Sequence, residues 1–455
     1  MDLESIFLAR VLFWTLCVAL LFVPLRWAFV CLIVAAHLDI TTASFTSSNA
    51  IGLENTVRIV VLPAILAIRM RLWRVKDVDW GIPQKIWLAL IVYASAAAIW
   101  SDYRLSALKM VAYLSMYLVL YAMFSEAWAA GLLGVKSIRT AALFTIALAF
   151  VQTFLMGNMV GVEDRLTSFS TPQYFAAYLL ATLAILIFSE ERGLFHYASC
   201  ALIIVAIVMS GSRYIFVSTI LLLVISSLRS MVKGGRGIDF RRIRRRTVGM
   251  LAAVAAAVAL LISYAPSSRV DDFLDAFIAP NMSIQDVGTW AWRLKIYTEI
   301  LDQLSQRSAR QLFFGSGTSS GAALMLDLEP SLYLQTGEDA VDGNRVLHNE
   351  FLRSIYEWGL PGIALLCGFL VSICVAFTRK IKSDGGGPAL AFVGVLPSIV
   401  FGLAIENLLA GAVSAAGIGI VLALSYSWRL GPSTAPEPAE AEVYEMSGGD
   451  AAVGV

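Results

Sequence analysis

Residues 174–228 read YFAAYLLATLAILIFSEERGLFHYASCALIIVAIVMSGSRYIFVSTILLLVISSL, three apolar runs parted by two short polar breaks. Each run approaches the roughly 20 apolar residues that a helix needs to cross a bilayer, and the breaks leave room only for tight turns. The same alternation extends in both directions. Of 455 residues, 58% are hydrophobic and 15% charged, against about 25% charged in an ordinary soluble domain. Candidate spans fall at 7–23, 27–44, 57–68, 86–100, 105–124, 138–156, 174–189, 195–210, 213–228 and 247–264, and after a long polar interval at 359–377, 389–407 and 410–428. The expected fold is an all-α polytopic membrane protein of about 12 to 13 transmembrane helices with one large, partly helical outer loop. Its parts are residues 1–264 (N-terminal spans), 265–348 (loop), 349–429 (C-terminal spans) and 430–455, a Pro-, Ala- and Glu-rich tail that cannot bury a core and is expected to be disordered.

The net charge of +1 gives no sign of nucleic-acid binding. The basic residues report orientation instead, because Lys and Arg stay preferentially in cytoplasmic loops. Three clusters agree: Arg69 to Lys85; Arg229 to Arg246; and Arg379, Lys380 and Lys382. With these inside, 44–56, 101–104, 161–171, the turn at 210–213 and the stretch 265–348 lie outside. The topology of the first hairpin is left open by Arg10 and Arg26. The first apolar run is followed by Pro24, Leu25 and Arg26 with no small-residue cleavage site, so it reads as a retained helix. Cys17, Cys31, Cys200, Cys367 and Cys374 all lie in apolar stretches and are expected to pack helices.

The interval 265–347 has eleven acidic and six basic residues, the reverse of the cytoplasmic loops. Within it Trp290, Leu294, Tyr297, Leu301 and Leu304 recur at helical spacing, with Lys295, Glu299 and Asp302 opposite. An amphipathic helix on the membrane surface is expected there. No phosphate-cradling Gly loop, zinc spacing or Gly-x-Ser-x-Gly elbow occurs in its required context.

The remaining chemistry gathers at the outer face. Arg213, followed by Tyr214, closes Ser210-Gly211-Ser212, a corner where backbone N–H groups and a guanidinium suit a phosphate; a snorkelling arginine is the alternative. Arg293 falls about 60° from the centre of the apolar face of the surface helix at 100° per residue, which calls for an anionic partner, either a ligand or a loop carboxylate. His348 stands just before a helix that re-enters the membrane, where it could take a proton from a hydroxyl near neutral pH or serve only as an interface residue.

These residues resemble the O-antigen ligase and polymerase superfamily of bacterial envelope glycosyltransferases. Its signature, a His, then Asn, Ser or Thr, nine residues and Gly-x-x-Gly, reads here as His348, Asn349, nine residues, Gly359, Leu360, Pro361 and Gly362. Ser212-Arg213 opening a helix, the Arg293 helix, Phe314-Gly315-Ser316-Gly317, and Arg165-Leu166-Thr167-Ser168 before Pro172 are similar in kind. The likeness implies transfer of a glycan from an undecaprenyl-pyrophosphate donor to a sugar hydroxyl of a glycan or lipid-linked acceptor, with inversion and with no metal or cofactor. It places the site at the periplasmic face of the inner membrane, in O-antigen (lipopolysaccharide) or exopolysaccharide assembly beside other assembly proteins. In that scheme His348 is catalytic, Arg213 and Arg293 bind pyrophosphate, and Arg165, Arg345, Asn349 and Tyr214 are further substrate contacts. The motifs do not separate polymerase from ligase. A lipid-linked oligosaccharide flippase is the alternative from another class, but it would be expected to carry mid-membrane charges and paired broken helices. A peptidoglycan polymerase is disfavoured by the His motif.

Overall fold

The computed structural model describes residues 3–37, 57–71, 80–156, 166, 172–189, 191, 193–232, 289–321, 324, 349–383 and 387–405. Among them the chain is helical, with no strand. The expected spans at 247–264 and 410–428, the tail 430–455, and Arg165, Arg345 and His348 lie outside the described residues, as does the side chain of Arg213.

The helices, in chain order, are α1 (Leu3–Phe22), α2 (Leu25–His37), α3 (Leu62–Arg69, entered through a π turn at Val57–Val61), α4 (Ile82–Ala97), α5 (Arg104–Ala129), α6 (Val135–Val151, running into a π turn at Gln152–Met156), α7 (Pro172–Phe188), α8 (Leu194–Met209), α9 (Arg213–Val232), α10 (Thr289–Ser305), α11 (Ala309–Phe314), α12 (Glu350–Ser383) and α13 (Gly387–Ile405). Three stretches are long and apolar enough to cross a membrane, Ser106–Ala129, Val135–Phe154 and Glu350–Arg379, and seven shorter apolar helices accompany them. This is an all-α membrane protein.

Helix α7 is apolar on every side, and Phe175 through Leu186 are buried throughout. A helix without a polar face belongs inside a bundle. Its alanines 176, 177, 181 and 184 let neighbouring backbones approach. The same economy serves at Gly394 of α13, where a Cβ would collide with Leu222 of α9.

Helices α4, α5 and α12 form an antiparallel set around Trp87. Its indole N–H donates to the Leu114 carbonyl at 2.8 Å, and its ring lies 4.5 Å from Phe369 and 5.5 Å from Tyr117. Gly368 sits beside Ile86, while Ala94 and Trp358 both bond to Thr318. The start of α12 therefore lies at the C-terminal end of α4. The basic residues Lys85 and Arg379 fall at the other end, as the charge pattern requires. Arg69 donates to the carbonyls of Leu20 and Val23, satisfying acceptors that a helix end leaves open. The C-terminal end of α1 therefore lies at the Arg69 end of the bundle, which fixes the first hairpin relative to the rest.

Two expectations need correction. Helix α10 forms where its periodicity predicts, but Ile296, Ile300 and Leu304 are the buried face, while Leu294 and Leu301 remain 55% and 53% exposed. The buried three pack with Leu352, Ile355 and Tyr356 of α12, so the helix is docked on protein as well as amphipathic. All five cysteines are free, and Cys367 and Cys374 point outward from α12 rather than between helices.

Candidate active site

The site is assembled where α12 begins. Asn349 caps the helix: its Oδ1 accepts from the N–H groups of Phe351 and Leu352, both at 3.0 Å, and its carbonyl accepts from Arg353 N–H at 2.9 Å. Asn, Ser and Thr are the residues whose short side chains can do this, which gives the second position of the signature a physical meaning. His348 is the residue directly before this cap in the sequence.

Helix α12 breaks where its apolar run begins. Gly359 adopts φ 63°, ψ −157° inside the helix, a conformation that side chains disfavour. A Cβ there would also overlap the Phe313 carbonyl, and one at Gly362 would enter the Trp358 side chain. The break exposes carbonyls, and Pro361 supplies no N–H to Glu357. The segment after α11 satisfies them: Ser316 N–H donates to Tyr356 O at 3.0 Å, and Gly317 N–H to Glu357 O at 2.9 Å. Arg307 adds a third bond, to Tyr356 O at 2.9 Å, with its guanidinium 3.6 Å over the Tyr356 ring. Burial pushes the Arg307 pKa down from its usual value, against the opposing pull of Tyr356. Gly315, at φ 74°, must lack a side chain because a Cβ would strike the Glu357 carbonyl. The Phe-Gly-Ser-Gly stretch and Gly-x-x-Gly are thus two halves of one close backbone approach.

Thr318 ties this joint to α4. Its hydroxyl donates to Ala94 O at 2.7 Å and accepts from Trp358 Nε1 at 2.9 Å, while its carbonyl accepts from Ser101 Oγ at 2.6 Å.

Under the joint lie three buried charges on one face of α12. Arg353 Nη2 pairs with Glu350 Oε2 at 2.5 Å. The Glu357 carboxylate accepts from the N–H groups of Ser319, at 2.9 Å, and Gly321, at 3.2 Å. Arg353 also lies 5.3 Å from the Trp358 ring centre and within electrostatic reach of Glu357. Sequence reading missed this group because it began the span at 359. The available signal was the spacing Glu350-x-x-Arg353-x-x-x-Glu357, which puts all three residues on one helical face.

The remaining candidates are distributed as follows. Arg213 opens α9 immediately after a turn in which Gly211 has φ 66° and Ser212 N–H bonds Ser210 Oγ at 3.3 Å. Leu166 N–H donates to Met209 O at 3.0 Å, so the chain neighbour of Arg165 is pinned to that turn. Tyr214 is half-buried beside it. Arg293 is half-buried on the Ile296 and Ile300 face of α10. Asn349 commits its side-chain oxygen to the cap, which leaves only its amide nitrogen for a substrate.

Residues 198–367 match the family model described as O-antigen ligase. The matched stretch runs from α8 to the middle of α12 and contains the 209–213 turn, α10, the Phe-Gly-Ser-Gly segment and the broken helix. No curated protein matches the chain.

Proposed function

We propose that this protein transfers a glycan from an undecaprenyl-pyrophosphate-linked donor to an acceptor sugar hydroxyl at the periplasmic face of the inner membrane, as a polymerase or ligase of surface polysaccharide assembly. Glycan transfer of the O-antigen ligase type is the coarser reading, carried by the family match. The observation that supports the finer one is the capped start of α12, where the signature histidine adjoins Asn349 and a face of buried charge.

In the proposed step the acceptor oxygen attacks the anomeric carbon opposite the diphosphate. The new C–O bond forms as the bond to the phosphate oxygen breaks. The electron pair leaves with undecaprenyl pyrophosphate, and the hydroxyl proton passes to His348. The anomeric centre inverts. A histidine is the side chain suited to take a proton from a hydroxyl near neutral pH. Arg213 and Arg293 neutralise the diphosphate and the charge that grows on it, a task a metal ion performs in other enzymes. Arg165, Arg345, Tyr214 and the Asn349 amide are second-rank contacts to glycan or phosphate.

The test is His348→Ala with protein level and membrane insertion unchanged: surface polysaccharide is lost and undecaprenyl-linked glycan accumulates. Normal polymer in that strain would overturn the assignment. The glycan accumulated in a deletion strain then separates the two enzymes, single repeat units indicating a polymerase and long chains a ligase. Arg213→Lys is expected to be impaired nearly as badly as Arg213→Ala, because lysine cannot reproduce a two-pronged phosphate contact.

A further inference from the structure

Three ionisable side chains lie buried on one face of α12. Glu350, Arg353 and Glu357 are each at most 1% exposed. An ion pair removed from water repays its desolvation only when every donor and acceptor is matched. Here Arg353 spends one nitrogen on Glu350, while Nε and Nη1 have no hydrogen-bond partner among the described residues. Such unsatisfied buried groups are rare and tend to persist where function retains them.

The placement shows what the group does. Glu350 directly follows Asn349, where the chain returns from 322–348, and Glu357 grips Ser319 and Gly321, where the chain departs toward that stretch. Arg353 stands between the two carboxylates, three residues from one and four from the other. The chain on both sides of the 322–348 stretch is thereby held on a single helical face.

We propose that Arg353 is a positioning residue for the transfer reaction: bracketed by Glu350 and Glu357, it locks the His348-bearing start of α12 to the Ser319–Gly321 backbone. The inference rests on the reading of His348 as the base. It differs from a structural ion pair in requiring that the two anchor points loosen together, and that turnover fall without loss of donor binding.

The experiment uses the full-length protein in nanodiscs, with lipid-linked glycan from a deletion strain as donor. Arg353→Lys keeps the buried positive charge but cannot reproduce the planar guanidinium that pairs with Glu350 and faces Glu357. Amide exchange at 319–321 and at 351–353 is expected to accelerate together by about tenfold or more. In the same variant kcat falls about tenfold or more, with the donor KM within about twofold of wild type. The neutral triple variant Glu350→Gln, Arg353→Met, Glu357→Gln removes the uncompensated charge and is expected to melt no lower than wild type, yet to share the kcat defect. Exchange that changes at one anchor only, or wild-type kcat in the well-folded triple variant, overturns the proposal. If the wild-type protein itself transfers no glycan from this donor, the proposed function falls, and the paired exchange still decides whether Arg353 is the lock.

Discussion

Helix α7 and the inner face of the first two turns of α12 are both closed to solvent and bury opposite chemistries. In α7 the hidden surface from Phe175 to Leu186 is Phe, Leu, Ile and Ala, with Tyr178 and Thr182 the two hydroxyl residues among them, and what holds it is mainly contact area. In α12 the hidden groups are Glu350, Arg353 and Glu357, held by one ion pair and by N–H groups from Ser319 and Gly321. Apolar burial is non-directional and tolerates a shifted neighbour. A buried charge is stable only while each named partner stays in place. One helix therefore specifies that the bundle is packed, and the other specifies where one short segment must sit. That difference sets the head of α12 apart within a chain of which 58% is hydrophobic.

The contrast is most directly broken at Gly359. Gly359→Ala must hold alanine at φ 63° and drive its Cβ into the Phe313 carbonyl, a combination of strain and overlap expected to cost about 4 kcal/mol or more. Little folded protein should survive detergent extraction and size-exclusion chromatography; wild-type yield would mean that the two backbones are free to separate. In α7, Leu180→Ala removes a fully buried side chain and is expected to cost about 2 to 4 kcal/mol, read as a lowered melting temperature. Transfer per folded molecule should be unchanged. A fall in kcat at constant folded fraction would erase the distinction between the two helices.

Much of the fold was legible because long apolar runs have few solutions: the starts of α7, α8 and α9 fall within two residues of the expected ones. The helix placed directly after His348 does begin at Glu350, but the apolar span read from 359 leaves out its first turns. Hydropathy treats a charge as a sign of water, and it cannot see that Arg353 is charged and dry. In α10 the period was correct and the face was not, since apolar residues surround most of the helix and only the position of α12 decides that Ile296 and Ile300 go inward. The Gly-x-x-Gly spacing was readable as a motif, but its cause, the collision of Gly359 with Phe313 and of Gly315 with Glu357, joins residues more than forty apart. Asn349 was read as a substrate contact although a short polar residue before an apolar run is itself a helix-start signal.

A milder break is Thr318→Val, nearly the same shape without the hydroxyl. It leaves the Trp358 indole N–H and the Ala94 carbonyl without Thr318, for an expected loss of about 1 to 3 kcal/mol. Thermal melting followed by tryptophan fluorescence measures it, and a change below about 0.5 kcal/mol would show that the joint is held by backbone bonds alone.

The smallest expected effect on stability is at Asn349, and it discriminates most finely. Asn349→Ala removes the oxygen that serves Phe351 and Leu352, worth about 1 kcal/mol at a helix start. Asn349→Ser keeps a capping oxygen and should lie within a few tenths of a kcal/mol of wild type. If the cap matters because it aims His348, transfer should follow the cap: close to wild type in the serine variant, and reduced in the alanine variant by more than its melting shift explains. If instead the Asn349 amide touches the glycan, serine and alanine should lose activity alike while differing in stability. Measuring kcat and melting temperature on both variants therefore separates a residue that holds the helix from one that holds the substrate, the same distinction that divides α7 from the head of α12.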